Sequence, residues 1–196
     1  MELNKAIIER RSVRKYLDKD IALRDLLELI ESAHYAPSSG NLQNWRFIIV
    51  KNPELKKKIA EACLDQSWMT EAPVHIVICS DRAHIQSFYE KHKNKYSIQN
   101  CALAAQNIML KAHSLKLGTC FVSGFSKLAL KRALEIPESS EPEAIITLGY
   151  PSETPKCKRN NIETYTYFEK YGNKKADKEL WPFAAKLKSL FSKFKK

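Results

Sequence analysis

Glycine is scarce in this 196-residue chain: there are five, and no GxGxxG or GKS/T fingerprint occurs anywhere. The glycine-rich loops that cradle phosphates in Rossmann and P-loop folds are therefore excluded. With only eight prolines beside them, the glycines are also too few for a disordered or fibrous chain. The five cysteines, Cys63, Cys79, Cys101, Cys120 and Cys157, lie far apart and form no CxxC pair. Neither a disulfide framework nor a zinc or iron–sulfur site is indicated. They read as reduced, mostly buried thiols, with Cys157 the one expected at the surface. The five histidines lack HExxH or any other metal spacing, and no carboxylate pair points to hydrolysis. No metal ligand and no catalytic side chain is assigned. No run approaches eighteen uncharged apolar residues, and the opening MELNKAIIERRSVRKY holds no apolar stretch before a cleavage site. The expected location is the cytoplasm.

What is present in excess is positive charge, a formal +11. Its distribution matters more than its sum. From Lys174 to Lys196 there are eight lysines against Asp177 and Glu179, so the tail carries about half the excess. The remaining body is only moderately basic, and no nucleic-acid partner is expected. Within the tail, Leu180, Phe183, Ala184, Leu187, Leu190, Phe191 and Phe194 share one helical face and lysines the other. A basic amphipathic helix over 177–196 is expected to rest on the body or on a partner subunit, with an anionic membrane surface as the alternative. Domain organisation follows: one domain over 1–172 and a basic amphipathic tail over 173–196.

The body alternates helical and strand patterns. Leu3, Ala6 and Ile7 predict a short first helix, and Leu23, Leu26, Leu27, Ile30 and Ala33 a second, with Asp20 as its cap and its end near Tyr35, before Pro37. Strands are predicted over Arg46–Val50, Val74–Cys79, Thr119–Val122 and Ala144–Leu148. Asn52 and Pro53 open a helix running to Leu64, and Ser126 caps another reaching Glu135. The longest helix spans Ser97–Leu117, with Ile98, Cys101, Ala102, Ala105, Ile108, Met109, Ala112 and Leu115 as its apolar stripe and Gly118 as its stop. The class is α/β or α+β, built on a small sheet.

Four segments carry chemistry. Arg10, Arg11, Ser12 and Arg14 put three guanidinium groups and a hydroxyl within five residues, a donor set that suits a phosphate dianion. A solvated charge run is the alternative. The loop from Ala36 to Trp45 is dense in small polar groups. Its Asn and Gln side chains could read an alternating carbonyl and N–H edge or sugar hydroxyls, or could simply close a turn. Gly118 to Phe125 and Gly149 to Pro151 offer glycines for close approach to a planar ligand, and Lys156, Lys158 and Arg159 form a late basic patch. Trp68 is a candidate substrate contact.

Taken together, RRSVRKY, APSSGNLQNW, GTCFVSGF and GYPSETPKCKR, in this order over roughly residues 4 to 168, resemble the nitroreductase family of flavoproteins. The resemblance implies an α+β fold with a central, mostly antiparallel sheet wrapped by helices, in an intertwined homodimer with FMN at the interface. It implies that Arg10, Arg11, Ser12 and Arg14 bind the phosphate and ribityl chain. Pro37, Ser38, Ser39, Asn41 and Gln43 would reach the flavin from the opposite subunit, while Ser123 and Gly124 would lie by its N5. Arg159, with Lys158, would be the late phosphate ligand. It further implies a two-electron transfer from NADH or NADPH through FMN to an electron-poor small molecule such as a nitroaromatic or quinone, by ping-pong kinetics. Flavin binding or storage without turnover is one alternative, and membrane-surface or nucleic-acid binding through the basic tail is the other. The chain departs from the family pattern at Asn44, where a proline is usual, and at Ser123, where a glutamate often stands. The stretch Asp65 to Met69 offers no counterpart to a mid-chain flavin contact found in some members.

Overall fold

In the computed structural model, which describes residues 2–175, Val74 to Ser80 is buried at every position. Only a strand covered on both faces meets that condition. Four strands, β1 (Trp45–Val50), β2 (Val74–Asp81), β3 (Gly118–Val122) and β4 (Ser140–Gly149), form one sheet in the order β1-β2-β4-β3, antiparallel throughout. Around it lie α1 (Leu3–Glu9), α2 (Leu23–His34), α3 (Pro53–Ala62), α4 (Arg82–Tyr89), α5 (Lys93–Ser114) and α6 (Lys127–Leu134). This is the α+β architecture that the sequence pattern and the resemblance imply.

Alternation along the strands splits the core in two. Ile76, Ile78, Ile146 and Leu148 point to one face and meet Leu26, Leu29 and Ala33 of α2 and Cys101, Ala104, Ala105 and Ile108 of α5. Val77, Cys79, Ile145, Cys120 and Val122 point to the other and meet Ile59, Ala60 and Cys63 at α3 and Leu130 of α6. Full burial of a side chain such as Leu29 stabilises by roughly 1.5–3 kcal/mol. The four thiols inside are Cys63, Cys79, Cys101 and Cys120, and Cys157 is exposed. Burial pushes the Cys63 thiol up to about 11 and that of Cys79 to about 12, so both stay protonated and inert at neutral pH.

Two caps are formed as their residues suggest. The Asn52 side chain accepts from Leu55 N, with Pro53 opening α3, and the Ser126 side chain accepts from Ala129 N at the head of α6. Asp20 is not a cap: α2 starts after Ala22, and the Asp20 carboxylate takes the Ile21 N–H and pairs with Lys51 at 2.6 Å. The long helix begins four residues earlier than predicted and stops at Ser114, where Lys116, not Gly118, adopts the left-handed conformation (φ 63°) of a helix stop. Its predicted stripe was too wide, since Ile98 and Ala102 are exposed.

Gly118 and Gly149 serve packing within the chain. A Cβ on Gly118 would sit 3.0 Å from the Val13 side chain, and one on Gly149 would be 2.6 Å from Pro73 Cδ and 2.7 Å from Tyr16 Cδ1. The segment after α1 can therefore lie flat against β3 and the end of β4.

The first compact unit ends at Lys156 and a second begins at Cys157. In the second, Asn161 accepts from Glu163 N at the single turn Ile162–Thr164. Lys174 donates to the carbonyls of Glu163, Thr164 and Thr166 while its ammonium lies 4.1 Å from the Tyr167 ring centroid. The amphipathic helix predicted over 177–196 falls outside the described residues. No helix among the described residues is long and apolar enough to cross a membrane.

Gly149→Ala is expected to cost about 1–3 kcal/mol by overfilling the contact with Pro73 and Tyr16, read as a lower urea midpoint; an unchanged midpoint would contradict the packing. His75 offers a second check. It is fully buried on β2, its Nε2 bonds Met69 O at 2.8 Å, and its Nδ1 has no partner. Burial lowers its pKa from 6.5 to about 4, against the raising effect of the Met69 bond. The unfolded chain therefore binds the proton first, and stability falls as pH drops from about 6.5 toward 4, by on the order of 3 kcal/mol. Urea midpoints against pH should lose that part of their slope in His75→Leu; equal slopes would show that His75 titrates alike in both states.

Candidate functional site

The basic segment after α1 is held on the free edge of β3. Ser12 makes a parallel bridge with Thr119, Val13 N donates to Thr119 O at 2.9 Å, and Tyr16 bridges Pro151 in antiparallel sense. Leu17 N donates to Tyr150 O, and Ser152 N to Lys15 O, at 2.9 and 3.0 Å. Residues 12–17 thus stitch the GTCFVSGF strand to the GYP turn, and three of the four sequence segments meet along one edge.

Beneath the stitch, the Tyr16 hydroxyl donates to Val13 O at 2.6 Å and shares a 2.7 Å bond with Thr147 Oγ1. Burial raises the phenol well above its ordinary pKa of 10, with the Thr147 bond opposing, so the hydroxyl keeps its proton. At Cys120 on β3, burial raises the thiol pKa, while the charges of Arg14 and Arg10 and the Ser12 hydroxyl oppose it. Arg14 also lies over the Trp68 ring, 5.6 Å from its centroid, and its backbone N–H donates to Glu153 Oε1. Trp68, the predicted substrate contact, is half-buried against Val13, Tyr16 and Ala72, with its Nε1 donating to Gln66 Oε1. Arg11 turns one Nη1 back onto Ile8 O (2.6 Å) and Arg10 O (2.8 Å), capping the end of α1.

At the end of β3, Ser123 and Gly124 are exposed. A Cβ on Gly124 would meet nothing nearer than Leu64 Cδ1 at 4.0 Å, so the backbone here is open to a flat neighbour. Leu64 and the residue after it, Asp65, are both left-handed (φ 60° and 55°).

The loop from Pro37 to Gln43 lies elsewhere. It runs into β1, at the opposite edge of the sheet, and is tied to α5: Ser39 N and Ser39 Oγ both donate to Asn100 Oδ1, at 3.0 and 3.2 Å. The loop turns through three left-handed residues, Gly40 (φ 58°), Asn41 (56°) and Gln43 (41°). Strain of this kind on non-glycine residues persists only where the surroundings enforce it. Here Ser38 Oγ accepts from Gln43 N at 3.1 Å, the Gln43 amide donates to Asn41, and Tyr89 stands where a Gly40 Cβ would go, its hydroxyl 2.8 Å away. Asp81 N donates to Asn44 O at 2.7 Å, while the Asp81 carboxylate pairs with Arg46 and caps α4. Pro37, Ser38 and Ser39 line a cavity of about 440 Å³ with Gln99, Asn100, Ala102 and Leu103 of α5.

Within one chain the loop and the basic segment do not meet. The loop is fixed at Asn100, whereas the end of α1 approaches His113, whose pKa is lowered chiefly by burial and then shifted by Glu9, Arg10 and Arg11. Thirteen residues of α5 separate these two points, about 20 Å at the helical rise. Lys158 and Arg159 are exposed in the second unit. Among the described residues no cluster of three or more His, Cys, Asp or Glu could hold a metal ion.

The residues that sequence reasoning missed are Tyr16, Asn44, Ser97 and Asn100. Ser97 and Asn100 extend the buried face of α5 on the N-terminal side of Cys101 and Ala104, and a polar residue in that register is the available sign of a buried partner.

A helix-covered antiparallel sheet, with an arginine-rich segment and an open glycine turn on its free edge, defines an α+β protein suited to a phosphorylated, planar ligand. The chain belongs to the nitroreductase family, whose model matches residues 7–68 and 64–150. It is 35% identical over 159 residues to a putative NADH dehydrogenase/NAD(P)H nitroreductase of Methanothermobacter thermautotrophicus, covering 79% of this chain and 80% of that one. It is 31% identical over 186 residues to an FMN reductase (NAD(P)H) of Bacillus subtilis, covering 84% and 74%. Among solved structures, an FMN-dependent nitroreductase from Clostridium difficile R20291 superposes with a TM-score of 0.75 at 27% identity, covering 86% of this chain and 99% of that one.

Tyr16→Phe removes the donor to Val13 O and the acceptor of the Thr147 hydroxyl, and is expected to lower stability by about 1–3 kcal/mol in urea denaturation. A midpoint within error of the parent would mean that the stitch does not depend on it.

Proposed function

We propose that this chain is an FMN-dependent NAD(P)H oxidoreductase, and that each flavin site is completed by two copies of it. The observation that carries the reading is the convergence of Arg10–Arg14, Ser123–Gly124 and the Tyr150–Ser152 turn on one edge of β3, in a chain of the nitroreductase family. The relatives' names, NAD(P)H nitroreductase and FMN reductase, support the donor and the cofactor.

The residues fit FMN. Arg10, Ser12 and Arg14 belong to the segment held along β3, and their guanidinium and hydroxyl donors would suit a phosphate, with Arg11 beside them in sequence. The open backbone at Gly124 admits a ring edge and offers it an N–H. Bound FMN supplies reversible two-electron hydride chemistry. The protein's part is to hold the phosphate, to keep one face of the ring accessible to nicotinamide and acceptor in turn, and to set fixed dipoles against the ring's polar edge. Alternating occupancy of one face gives ping-pong kinetics, with an electron-poor small molecule such as a quinone or nitroaromatic as acceptor.

The separation of the two groups of residues supports a second copy. About 20 Å of α5 separates the loop carrying Pro37, Ser38, Ser39, Asn41 and Gln43 from the basic segment of the same chain. A twofold partner can bring its own loop to the first chain's β3 edge. Exposed apolar residues support such an interface: Leu3 and Ile7 on α1, and Ile98 and Leu103 on α5 beside the loop.

The full-length protein is expected to purify yellow, to bleach with NADH or NADPH in the absence of air, and to regain colour on adding a quinone or nitroarene. Binding without bleaching would make it a flavin carrier instead. The Arg10→Ala/Arg14→Ala double variant should lose FMN on desalting; retention of the colour would remove the phosphate assignment.

A further inference from the structure

Two adjacent serines of the loop carry opposite hydrogen-bonding polarity, and a buried polar chain formed by Asn44 before β1 with Ser97 and Asn100 of α5 sets the difference. Asn44 and Ser97 are 0% exposed and Asn100 is 1% exposed. Their directions are fixed by a single backbone group. Ser39 N–H can only donate, so the Asn100 atom that faces it at 3.0 Å is Oδ1. The other end of the Asn100 amide is then Nδ2, which donates to Asn44 Oδ1 at 2.8 Å. Asn44 in turn points its Nδ2 at Ser97 Oγ, 3.1 Å away. Every amide in the chain is oriented, and reversing any one would set two donors or two acceptors face to face inside the protein, at a cost of about 1–3 kcal/mol for each group left unpaired.

The consequence falls on the loop. Asn100 Oδ1 also lies 3.2 Å from Ser39 Oγ, and because a carbonyl oxygen cannot donate, the Ser39 hydrogen is committed to it. Toward the cavity Ser39 offers lone pairs alone. Ser38 is the reverse: its Oγ already accepts from Gln43 N–H, and its hydrogen remains to be donated. Both serines line the same cavity of about 440 Å³.

We infer that Asn100, aligned by Asn44 and Ser97, is a positioning residue that makes Ser39 a hydrogen-bond acceptor toward bound FMN, so that this turn selects a donor on the cofactor, with Ser38 left to serve an acceptor. The inference rests on the proposed FMN site. A phosphate dianion has no hydrogen to give, so Ser39 does not serve that end of the molecule. FMN carries two kinds of donor that can satisfy it, the imide N3–H of the ring and the ribityl hydroxyls. The departure at Asn44 is then functional: a proline there has no side-chain carbonyl to receive Asn100 Nδ2, and the orientation of the chain would be lost.

The test is flavin fluorescence titration of the full-length apoprotein with FMN, with 3-methyl-FMN, and with FMN analogues lacking single ribityl hydroxyls. The parent is expected to bind one analogue threefold to tenfold more weakly than FMN, and the identity of that analogue tells ring from ribityl. Ser39→Ala should lose the discrimination, binding that analogue and FMN alike, and Ser38→Ala should keep it. Asn100→Ala should also lose it, whereas Asn100→Asp, which still accepts from Ser39, should restore it even at reduced thermal stability. A fold too weak to isolate Asn100→Ala leaves the decision to Asn100→Asp and Ser39→Ala. Equal affinity of the parent for every analogue, discrimination that survives Ser39→Ala, or its loss in a folded Asn100→Asp would each overturn the inference while leaving FMN binding intact. An apoprotein that takes up no FMN would overturn the functional reading and this one together.

Discussion

The length of α5 is the constraint on which the rest depends. One continuous helix of 22 residues holds the polar loop near its start and the end of α1 near its finish, and a helix does not shorten to bring them together. In the proposed site, a ligand that needs both groups of residues would find them on different chains. The apolar residues left exposed on α1 and on the loop end of α5 give that second chain something to cover.

Each half of the site is made rigid by a different means. On the β3 edge the means is close approach: Gly118 and Gly149 lack the Cβ atoms that would push Val13 and Tyr16 away, and the Tyr16 hydroxyl locks the segment from beneath. At the loop the means is a fully satisfied polar network, since Asn44, Ser97 and Asn100 have no water to fall back on. In the proposed site the first half would meet charge and the second would set hydrogen-bond direction. Both are fixed before any ligand arrives, which reduces the ordering cost of binding.

Much of this was legible in the sequence, and the failures have physical reasons. The apolar β-branched runs gave β1, β2 and β3, and Asn52-Pro53 and Ser126 marked two helix starts, because burial and capping leave local signatures. α4 left none: only Ile85 of its eight residues is buried, so no apolar stripe exists to be read. The first part of β4 was hidden by its own residues. Glu141, Pro142 and Glu143 do not resemble a strand, yet Pro142 sits opposite Cys79 at a register shift, beyond the reach of β3, where no ladder bond is asked of it. The four segments could be read from the sequence, but their grouping was not available from spacing. That Arg10–Arg14 shares an edge with Gly124, and that the loop stands apart, depends on strand order. Asn44 stood out in the sequence only as a departure from the family pattern, and it is a fully enclosed part of the loop's support.

The most direct measurement of the central claim, that one flavin site draws on two chains, is complementation between two defective variants. One chain would carry Arg10→Ala and Arg14→Ala, the other Ser38→Ala and Ser39→Ala, with different affinity tags so that the mixed dimer can be isolated. If the halves come from different subunits, the mixed dimer contains one site with both halves intact and one with neither, and it should bind one FMN where each variant alone binds weakly or not at all. A mixed dimer no better than its parents would place both halves in the same chain and contradict the account.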